Sequence, residues 1–379
     1  MLRRMWLAYQ AVGNAFGEWV APLVTAFFFF WLRVSVAIGM ALDNVVFPKL
    51  GKTEIKSPII IVGNPRTGTT FLQRFLTDNG FGSGIEVWRM LYPSLVLQQF
   101  LRPLLPFLER FSPARHHSTD AHETSLTSVE TDDPSIFFRY FDGFFLYGFL
   151  LAWHPQELKS EVDPNLRDTS ARDFEWLRAI WRRNLVATNT NRVVSKLFSL
   201  GPRIPRFLQS FPDAKILYMV RDPLEVIPST MSLTTGVLDK RFGFWSLPEE
   251  KRRRYLDRLY NGLVELFERF HADYTSGKIP RDKVLVVTFP RLMADFDGLM
   301  KEILAFVDVK ATPELEATIK KVADKQRAYK SKHAYDLERF GLDEAKIRKD
   351  CAFVYDTFLS EAPQTPLPGT AAQSAEVVS

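Results

Sequence analysis

The sequence predicts an α/β fold in which a mostly parallel sheet is flanked by helices, with a hydrophobic helix near the N-terminus. The first observation is the apolar, mostly β-branched run 58–62, because such unbroken runs are typical of strands buried on both faces. A similar run occupies residues 214–220, and apolar residues at helical spacing follow both. Alternating strands and helices favour a parallel sheet. The third observation is the segment 20–42, which is apolar and long enough to span a bilayer.

The turn after the first strand has the spacing of a phosphate-binding loop, which makes the predicted fold P-loop-type. Gly63 and Gly68 are followed by Thr69 and Thr70, which copies the ATP-binding pattern G-x-x-x-x-G-K-[ST] except that Thr69 replaces the lysine. Since that lysine reaches the β- and γ-phosphates of nucleoside triphosphates, its replacement argues against ATP hydrolysis and favours another phosphorylated ligand. Arg66 supplies a positive charge from inside the loop.

A second candidate phosphate site follows the strand 214–220. Arg221 stands at the carboxyl end of this strand, and ligands of open parallel sheets bind at that edge. Pro223 suits the first turn of a helix, and Ser229 falls about two turns along it. We therefore expect Arg221 and Ser229 to bind one phosphate together. Taken alone, each of the two motifs also occurs as an ordinary turn or helix start.

Together the two motifs resemble the sulfotransferases that use 3′-phosphoadenosine 5′-phosphosulfate (PAPS), in particular the bacterial-type branch with a Pro-Arg-x-Gly-Thr-Thr loop. The resemblance covers about residues 58–340. It implies that the loop binds the 5′-phosphosulfate, that Arg221 and Ser229 bind the 3′-phosphate, and that PAPS is the co-substrate with no metal required. The remaining implied cofactor-binding residues are Arg66, Thr67, Gly68, Thr69 and Thr70 from the loop, and Lys332 from the basic segment 327–335.

The same resemblance indicates where the catalytic groups stand. Lys196 matches a lysine that steadies the leaving phosphate in cytosolic members of the family, but Phe198 occupies the position of their catalytic histidine. The base must therefore come from elsewhere. We expect Glu123 to be the base and Glu86 to be the second candidate, while His122 beside Glu123 is a third.

The predicted function is transfer of a sulfuryl group from PAPS to a hydroxyl of an apolar, lipid-like acceptor. The acceptor class is suggested by the aromatic stretch 134–155, which either packs in the core or lines a pocket for a lipid, quinone or sterol alcohol. Two alternatives remain open. One is a P-loop kinase acting on ATP, which magnesium dependence would support, and the other is a non-catalytic, membrane-anchored nucleotide-binding module that has lost its base.

The composition limits the classes of partner that this protein is expected to bind. The net charge of +5 fits an anionic cofactor or a membrane surface, whereas the sequence has neither the basic-aromatic interleaving nor the Cys/His spacing of nucleic-acid-binding domains. The one cysteine, Cys351, excludes an internal disulfide and a cysteine-rich metal site. His122 and Glu123 are adjacent and diverge on either a helix or a strand, which disfavours metal binding.

The chain divides into three predicted parts: a membrane-anchoring segment (1–50), a sulfotransferase-like α/β domain (51–361) with an apolar aromatic insertion at about 91–155, and a disordered tail (362–379). The segment 20–42, interrupted by Arg33, either spans the bilayer, lies in its plane or forms a buried helix. The lone cysteine and the lack of Asn-x-Ser/Thr sites favour membrane association with a cytoplasmic catalytic domain over a Golgi membrane with a lumenal domain.

Overall fold

A four-stranded sheet forms the centre of the fold. The computed structural model describes residues 1–111, 125–328 and 337–360. All strand pairs are parallel and the spatial order is β2-β1-β3-β4, which confirms the predicted α/β class. The strands are β1 (Ile59–Gly63), β2 (Val194–Lys196), β3 (Lys215–Val220) and β4 (Val284–Thr288).

Apolar layers cover both faces of the sheet. All five residues of β1 are buried. Ile60 and Val62 belong to one core cluster with Tyr218 of β3, while Ile59 and Ile61 belong to a second cluster on the other face. This two-sided burial explains why the strand is a continuous apolar run instead of an alternating one.

The helices account for most of the remaining described chain. In the first half they are α1 (Leu2–Phe16), α2 (Ala21–Val46), α3 (Thr69–Asp78), α4 (Val87–Leu91), α5 (Leu95–Leu101), α6 (Leu105–Phe111), α7 (Asp133–Tyr140), α8 (Phe144–Phe149) and α9 (Ser170–Thr188). In the second half they are α10 (Ile204–Ser210), α11 (Pro223–Phe242), α12 (Glu249–Thr275), α13 (Phe289–Ala294), α14 (Phe296–Phe306), α15 (Pro313–Ala328), α16 (Glu344–Asp350) and α17 (Ala352–Val354).

The inner face of α2 is bonded to the rest of the fold through a buried carboxylate. Asp43 is fully buried and pairs with Arg183 of α9 at 2.8 Å. Its oxygens also accept hydrogen bonds from the Ser94 hydroxyl (3.0 Å) and from the backbone N–H groups of Leu95 (3.0 Å) and Val96 (2.9 Å). The C-terminal part of α2 is therefore an integral element of the α/β domain.

The outer face of α2 is apolar and exposed. By length and hydropathy this helix is able to cross a membrane, a property that signal sequences and core helices share. Its N-terminal half exposes large side chains to solvent, and we call them the α2 apolar face: Leu23, Val24, Phe27, Phe28, Phe30 and Trp31.

The helix that Pro223 was expected to begin runs to Phe242 and ends at Gly243, whose left-handed backbone (φ 65°) closes the helix. The aromatic stretch 134–155 is broken between α7 and α8, because Phe141 (φ 49°) and Gly143 (φ 87°) both have positive φ. The two halves of the stretch therefore meet at an angle of 78°, and the stretch packs against α1 and α2.

Candidate active site

The loop between β1 and α3 has a backbone that only glycine accommodates at its first position. Gly63 has a φ of 147°, and a Cβ atom there would lie 2.5 Å from the carbonyl oxygen of Met219. Gly68 (φ 92°) precedes α3 directly, and Arg66 also has a left-handed backbone (φ 72°). The loop thus delivers the first N–H groups of α3, which have no intrahelical acceptor, to the carboxyl edge of the sheet.

The loop and the second motif contact each other at this edge. The Arg66 Nε donates to the Ser229 hydroxyl at 3.0 Å, and the Arg221 guanidinium donates to the Arg66 carbonyl oxygen at 3.1 Å. A third bond runs from the Thr230 hydroxyl to the carbonyl oxygen of Pro65 (3.3 Å). Two segments more than 150 positions apart in sequence therefore form one cationic cluster with Arg66, Arg221 and Ser229 at its centre.

Arg221 is held in place from two sides. Its guanidinium lies 3.9 Å from the ring centre of Phe289 and forms an ion pair with Glu225, one turn along α11. Asp222 begins this helix by accepting a hydrogen bond from the backbone N–H of Leu224 at 2.9 Å. The stacked, capped arrangement orients the guanidinium without removing it from solvent access.

Lys196 lies next to the loop between β1 and α3. It is the last residue of β2, pairs in register with Ile61 and is 1% exposed. Its ammonium group donates to the Thr70 hydroxyl at 2.8 Å and lies 3.4 Å from a carboxylate oxygen of Glu130. Burial lowers the pKa of Lys196, and the neighbouring Glu130 carboxylate acts in the opposite direction. The prediction that this lysine ends a short strand is confirmed.

Glu130 is a site residue whose role sequence reasoning missed. Its carboxylate lies between the ammonium of Lys196 and the guanidinium of Arg74, which is 3.0 Å away. The only sequence signal was its spacing of seven residues from Glu123, which placed both on one face of a hypothetical helix. In the structure Glu130 precedes α7 and lies outside any helix or strand, so its neighbours are set by tertiary contacts.

Asp132 fixes the segment around Glu130 to β2. Its backbone N–H donates to the Lys196 carbonyl oxygen at 2.9 Å, and its carboxyl group accepts from the Ser195 hydroxyl (2.5 Å) and the Trp181 indole (2.8 Å). Burial raises the pKa of Asp132 to about 7, against the effect of these two hydrogen bonds. The carboxylate of Glu130 is thereby positioned by a rigid, buried support.

Glu86 stands at the N-terminus of α4, and its carboxylate already has hydrogen-bond partners. One of its carboxylate oxygens accepts hydrogen bonds from the Trp88 indole (2.9 Å) and the Arg89 guanidinium (2.7 Å). It also forms an isolated backbone bridge with Val129, which brings its backbone next to that of Glu130. The other predicted candidates, Glu123, His122 and Lys332, lie outside the described residues, as does the tail 362–379.

A metal-binding cluster was not expected from the sequence. In residues 1–111, 125–328 and 337–360 the structure contains no group of three or more His, Cys, Asp or Glu side chains suited to holding a metal ion. Arg66, Lys196 and Arg221 lie at this sheet edge, and Glu130 and Glu225 pair with the last two. Guanidinium and ammonium groups suit a ligand that carries phosphate or sulfate groups.

Comparison with known proteins identifies the family. A profile of the Sulfotransferase family matches residues 58–314. The chain belongs to the sulfotransferase family. The matched range contains the phosphate-binding loop, Lys196, Arg221 and Ser229, and the predicted resemblance is therefore confirmed at the level of the family.

Individual sulfotransferases agree with this assignment. The chain is 27% identical over 248 residues to the omega-hydroxy-beta-dihydromenaquinone-9 sulfotransferase Stf3 of Mycobacterium bovis and to that of Mycobacterium tuberculosis. The match covers 61% of this chain and 62% of each relative's length.

Two solved sulfotransferase structures confirm the fold. Sulfotransferase STF1 of Mycobacterium tuberculosis has a TM-score of 0.65 at 18% identity, with 93% of this chain and 90% of that chain covered. Sulfotransferase STF9 of Mycobacterium avium has a TM-score of 0.64 at 18% identity, with 84% and 81% covered. At this identity the two structures support the architecture and not the specificity.

Proposed function

We propose that this sulfotransferase-family protein transfers the sulfuryl group of PAPS to a hydroxyl group of an apolar, lipid-like acceptor. The observation that carries the proposal is the cluster at the sheet edge, where the loop, Arg221 and Ser229 meet beside the buried ammonium group of Lys196. The family implies PAPS as co-substrate. The name of the mycobacterial relatives describes a hydroxylated menaquinone acceptor, which supports a lipid hydroxyl as the acceptor class here.

The proposed donor site divides the two phosphate-bearing ends of PAPS between the two motifs. The N–H groups and side chains of 66–70 bind the 5′-phosphosulfate, and Arg221 with Ser229 binds the 3′-phosphate, with Lys332 as a further cofactor-binding candidate. During in-line attack the bridging oxygen of the leaving phosphate gains negative charge. Fixed donors at that oxygen accelerate the step, and Lys196 and Arg66 are the side chains proposed to act so. The step as proposed uses no metal.

The proton of the acceptor hydroxyl needs a base, and three carboxylates are candidates. Glu123 remains our first prediction and Glu86 the second. The hydrogen bonds of Glu86 to Trp88 and Arg89 mean that it must exchange partners to accept a proton. Glu130 joins the set because it is buried beside Lys196 and Thr70. Its ion pairs with Lys196 and Arg74 favour a positioning role, in which it keeps Lys196 protonated.

The activity is tested with [35S]PAPS in EDTA, using a long-chain polyprenyl alcohol in detergent micelles and, for comparison, a short water-soluble alcohol. We expect label transfer to the polyprenyl alcohol with a kcat/KM at least about tenfold higher than to the short alcohol, which corresponds to roughly 1.4 kcal/mol of apolar binding. Transfer from γ-labelled ATP with magnesium, in the absence of transfer from PAPS, would favour the kinase alternative instead.

We further propose that the α2 apolar face docks this protein on a membrane with α2 lying in the plane of the bilayer. Arg33 on the inner face donates to the carbonyl oxygen of Phe138 at 2.7 Å, and Asp43 is bonded to Arg183 and to α5. A helix attached to the domain at both of these points has little freedom to leave it and cross a bilayer, whereas an in-plane helix buries one apolar face. Residues 1–50 then act as the anchor of the domain 51–361, on the cytoplasmic side.

If the α2 apolar face docks on membranes, substitutions in this face should weaken binding to vesicles. Changing Phe28 or Trp31 to aspartate is expected to weaken flotation with phosphatidylcholine vesicles about tenfold or more, because burying one such side chain is worth roughly 1.5–3 kcal/mol. The control is Leu166→Asp, since Leu166 is more exposed than Phe28 or Trp31 but lies outside α2. Equal flotation of the wild type and all three variants would contradict docking through this face.

A further inference from the structure

Three short helices, α4, α5 and α6, form an arm that is attached to the candidate active site at both of its ends. We call residues 87–111 the α4–α6 arm. The first two backbone N–H groups of α4 donate to the carbonyl oxygens of Ser128 (3.1 Å) and Leu126 (2.9 Å). In α6, the Glu109 carboxylate accepts a hydrogen bond from the backbone N–H of Leu126 at 2.8 Å. Both ends of the arm therefore meet the segment that leads to Glu130.

The middle of the arm carries large apolar side chains on its surface. Phe100 is 71% exposed and Leu104 is 51% exposed. With the exception of Leu166, all the exposed large apolar side chains of the described residues lie in the ranges 1–46 and 100–107. Exposed apolar surface that is concentrated in this way marks a site of contact with a partner or a membrane. The arm shares this property with α1 and α2.

The arm lies directly beside α2. A Cβ atom at Gly39 of α2 would lie 2.6 Å from the Ser94 hydroxyl oxygen and 2.8 Å from the Leu97 side chain, so the two helices approach as closely as a glycine permits. Asp43 of α2 also accepts hydrogen bonds from the first N–H groups of α5. Phe100 is only about 8 Å of helix away from these contacts. The exposed part of the arm is therefore held next to the helix that we propose to lie in the bilayer.

The charges around this surface favour a lipid partner. In the ranges 44–53 and 95–111, the exposed charged side chains are all basic: Lys49, Lys52, Arg102 and Arg110. Apolar residues flanked by lysine and arginine are typical of helices at a membrane surface, where the long basic side chains reach the headgroups. Protein interfaces are instead depleted of lysine. A bilayer therefore suits this surface better than a second protein does.

We propose that the α4–α6 arm inserts Phe100 and Leu104 into the bilayer and is the entrance through which a membrane-dissolved acceptor reaches the active site. The inference rests on the proposed function, because it takes the acceptor to be a lipid alcohol. Along the chain, Leu104 lies about 8 Å from Glu109, and residues 126–130 span at most about 14 Å. With side chains included, the inserted residues are less than about 30 Å from Glu130. A long lipid alcohol spans this distance, so its hydroxyl reaches the site while its chain remains in the bilayer.

Insertion is tested with Phe100→Cys labelled with an environment-sensitive fluorophore. The natural Cys351 is fully buried and should stay unlabelled. Phosphatidylcholine vesicles with nitroxide-labelled acyl chains should quench the label by about half or more, because interfacial residues reach the acyl boundary. Leu166→Cys is the matched control, since Leu166 is also 71% exposed, and its label should not be quenched. Quenching at neither position, or equal quenching at both, would overturn the proposed insertion.

The role as an entrance is tested by transfer from [35S]PAPS to a polyprenyl alcohol dissolved in phosphatidylcholine vesicles, expressed per vesicle-bound enzyme. Phe100→Ser combined with Leu104→Ser should lower this rate at least about tenfold at a low mole fraction of acceptor, because two large apolar contacts are lost. Transfer to a short water-soluble alcohol should remain within twofold. The matched control is Phe27→Ser combined with Leu23→Ser, which removes the same two types of side chain from the α2 apolar face. Per bound enzyme, this control should keep the wild-type rate.

Three results would overturn the entrance: a wild-type rate per bound enzyme in the arm variant, an equal loss in the α2 variant, or an equal loss with the short alcohol. Failure of the proposed function looks different. If the wild type transfers label to neither alcohol while the label at position 100 is quenched, the arm contacts the bilayer, but the proposed activity and the entrance for its acceptor are both wrong. Binding of 3′,5′-ADP by every variant should be unchanged, which shows that the variants are folded.

Discussion

Replacing Lys196 with methionine is expected to lower kcat for sulfuryl transfer by about 10²–10³-fold, the loss typical of removing one fixed donor at a developing oxyanion. The side chain is buried and its ammonium group contacts Thr70 at the start of α3, where the leaving phosphate is proposed to sit. Methionine keeps the volume of the chain and removes the charge. Single-turnover transfer from [35S]PAPS measures the chemical step directly.

Lys215→Met provides a matched control. Lys215 begins β3 at the amino edge of the sheet, and its ammonium group lies 4.8 Å from the ring centre of Phe306. Because ligands bind at the carboxyl edge, this substitution should leave kcat within twofold. A Lys196→Met enzyme that retains more than a third of wild-type kcat would remove Lys196 from the catalytic set.

The pH profile of Glu130→Gln separates a positioning role from a base. The proposed mechanism requires protonated Lys196, so we expect activity to fall as pH rises through the pKa of Lys196, which burial lowers and Glu130 raises. Removing the Glu130 charge lowers this pKa further, and the alkaline limb of kcat should move to lower pH. If Glu130 is the base, the variant instead loses the acidic limb, and kcat falls about 10²–10⁴-fold at every pH.

Replacing Asp43 with alanine is expected to destabilise the protein by about 3–5 kcal/mol, because the change leaves a buried arginine without its partner. The carboxylate pairs with Arg183 and accepts three further hydrogen bonds from Ser94, Leu95 and Val96. Urea unfolding in a mild detergent, followed by tryptophan fluorescence, measures the change in the free energy of unfolding.

The matched control for this prediction is Asp78→Ala, at the exposed end of α3, which should change the free energy of unfolding by less than about 0.5 kcal/mol. If Asp43→Ala is equally harmless, α2 does not fold as part of the α/β domain. The in-plane docking would then lose its structural basis, and a freely hinged membrane-spanning helix would become the better description.

The arrangement of the proposed donor site was predictable because its signals are local. Gly63, Gly68 and Thr69 lie within one loop, and Arg221 and Ser229 within one strand end and helix, so their spacing alone fixes their geometry. Ligands of open parallel sheets bind at the carboxyl ends of the strands. The loop after β1 and the Arg221–Ser229 motif after β3 are therefore expected at the same edge. The direct bond between Arg66 and Ser229 is the tertiary consequence of that rule.

The position of Glu130 and the attachment of α2 depend on distant partners, and these were not predictable. Glu130 meets Lys196 across 66 positions, and no local pattern marks which of several acids in that stretch turns inward. Asp43 follows a long apolar run and is typical of the end of a membrane segment, yet its partner Arg183 lies 140 positions away. Sequence spacing carries no information about such pairs.

Calorimetric binding of 3′,5′-ADP in EDTA, beside ATP with magnesium, tests the central claim most directly. The account predicts micromolar binding of 3′,5′-ADP and a loss of at least tenfold, about 1.4 kcal/mol, in Arg221→Ala. The control is Arg281→Ala. Arg281 stacks on the ring of Tyr274 and precedes β4, at the opposite edge of the sheet, so this variant should bind 3′,5′-ADP as the wild type does. Binding of ATP with magnesium but not of 3′,5′-ADP would contradict the proposed PAPS-dependent transfer.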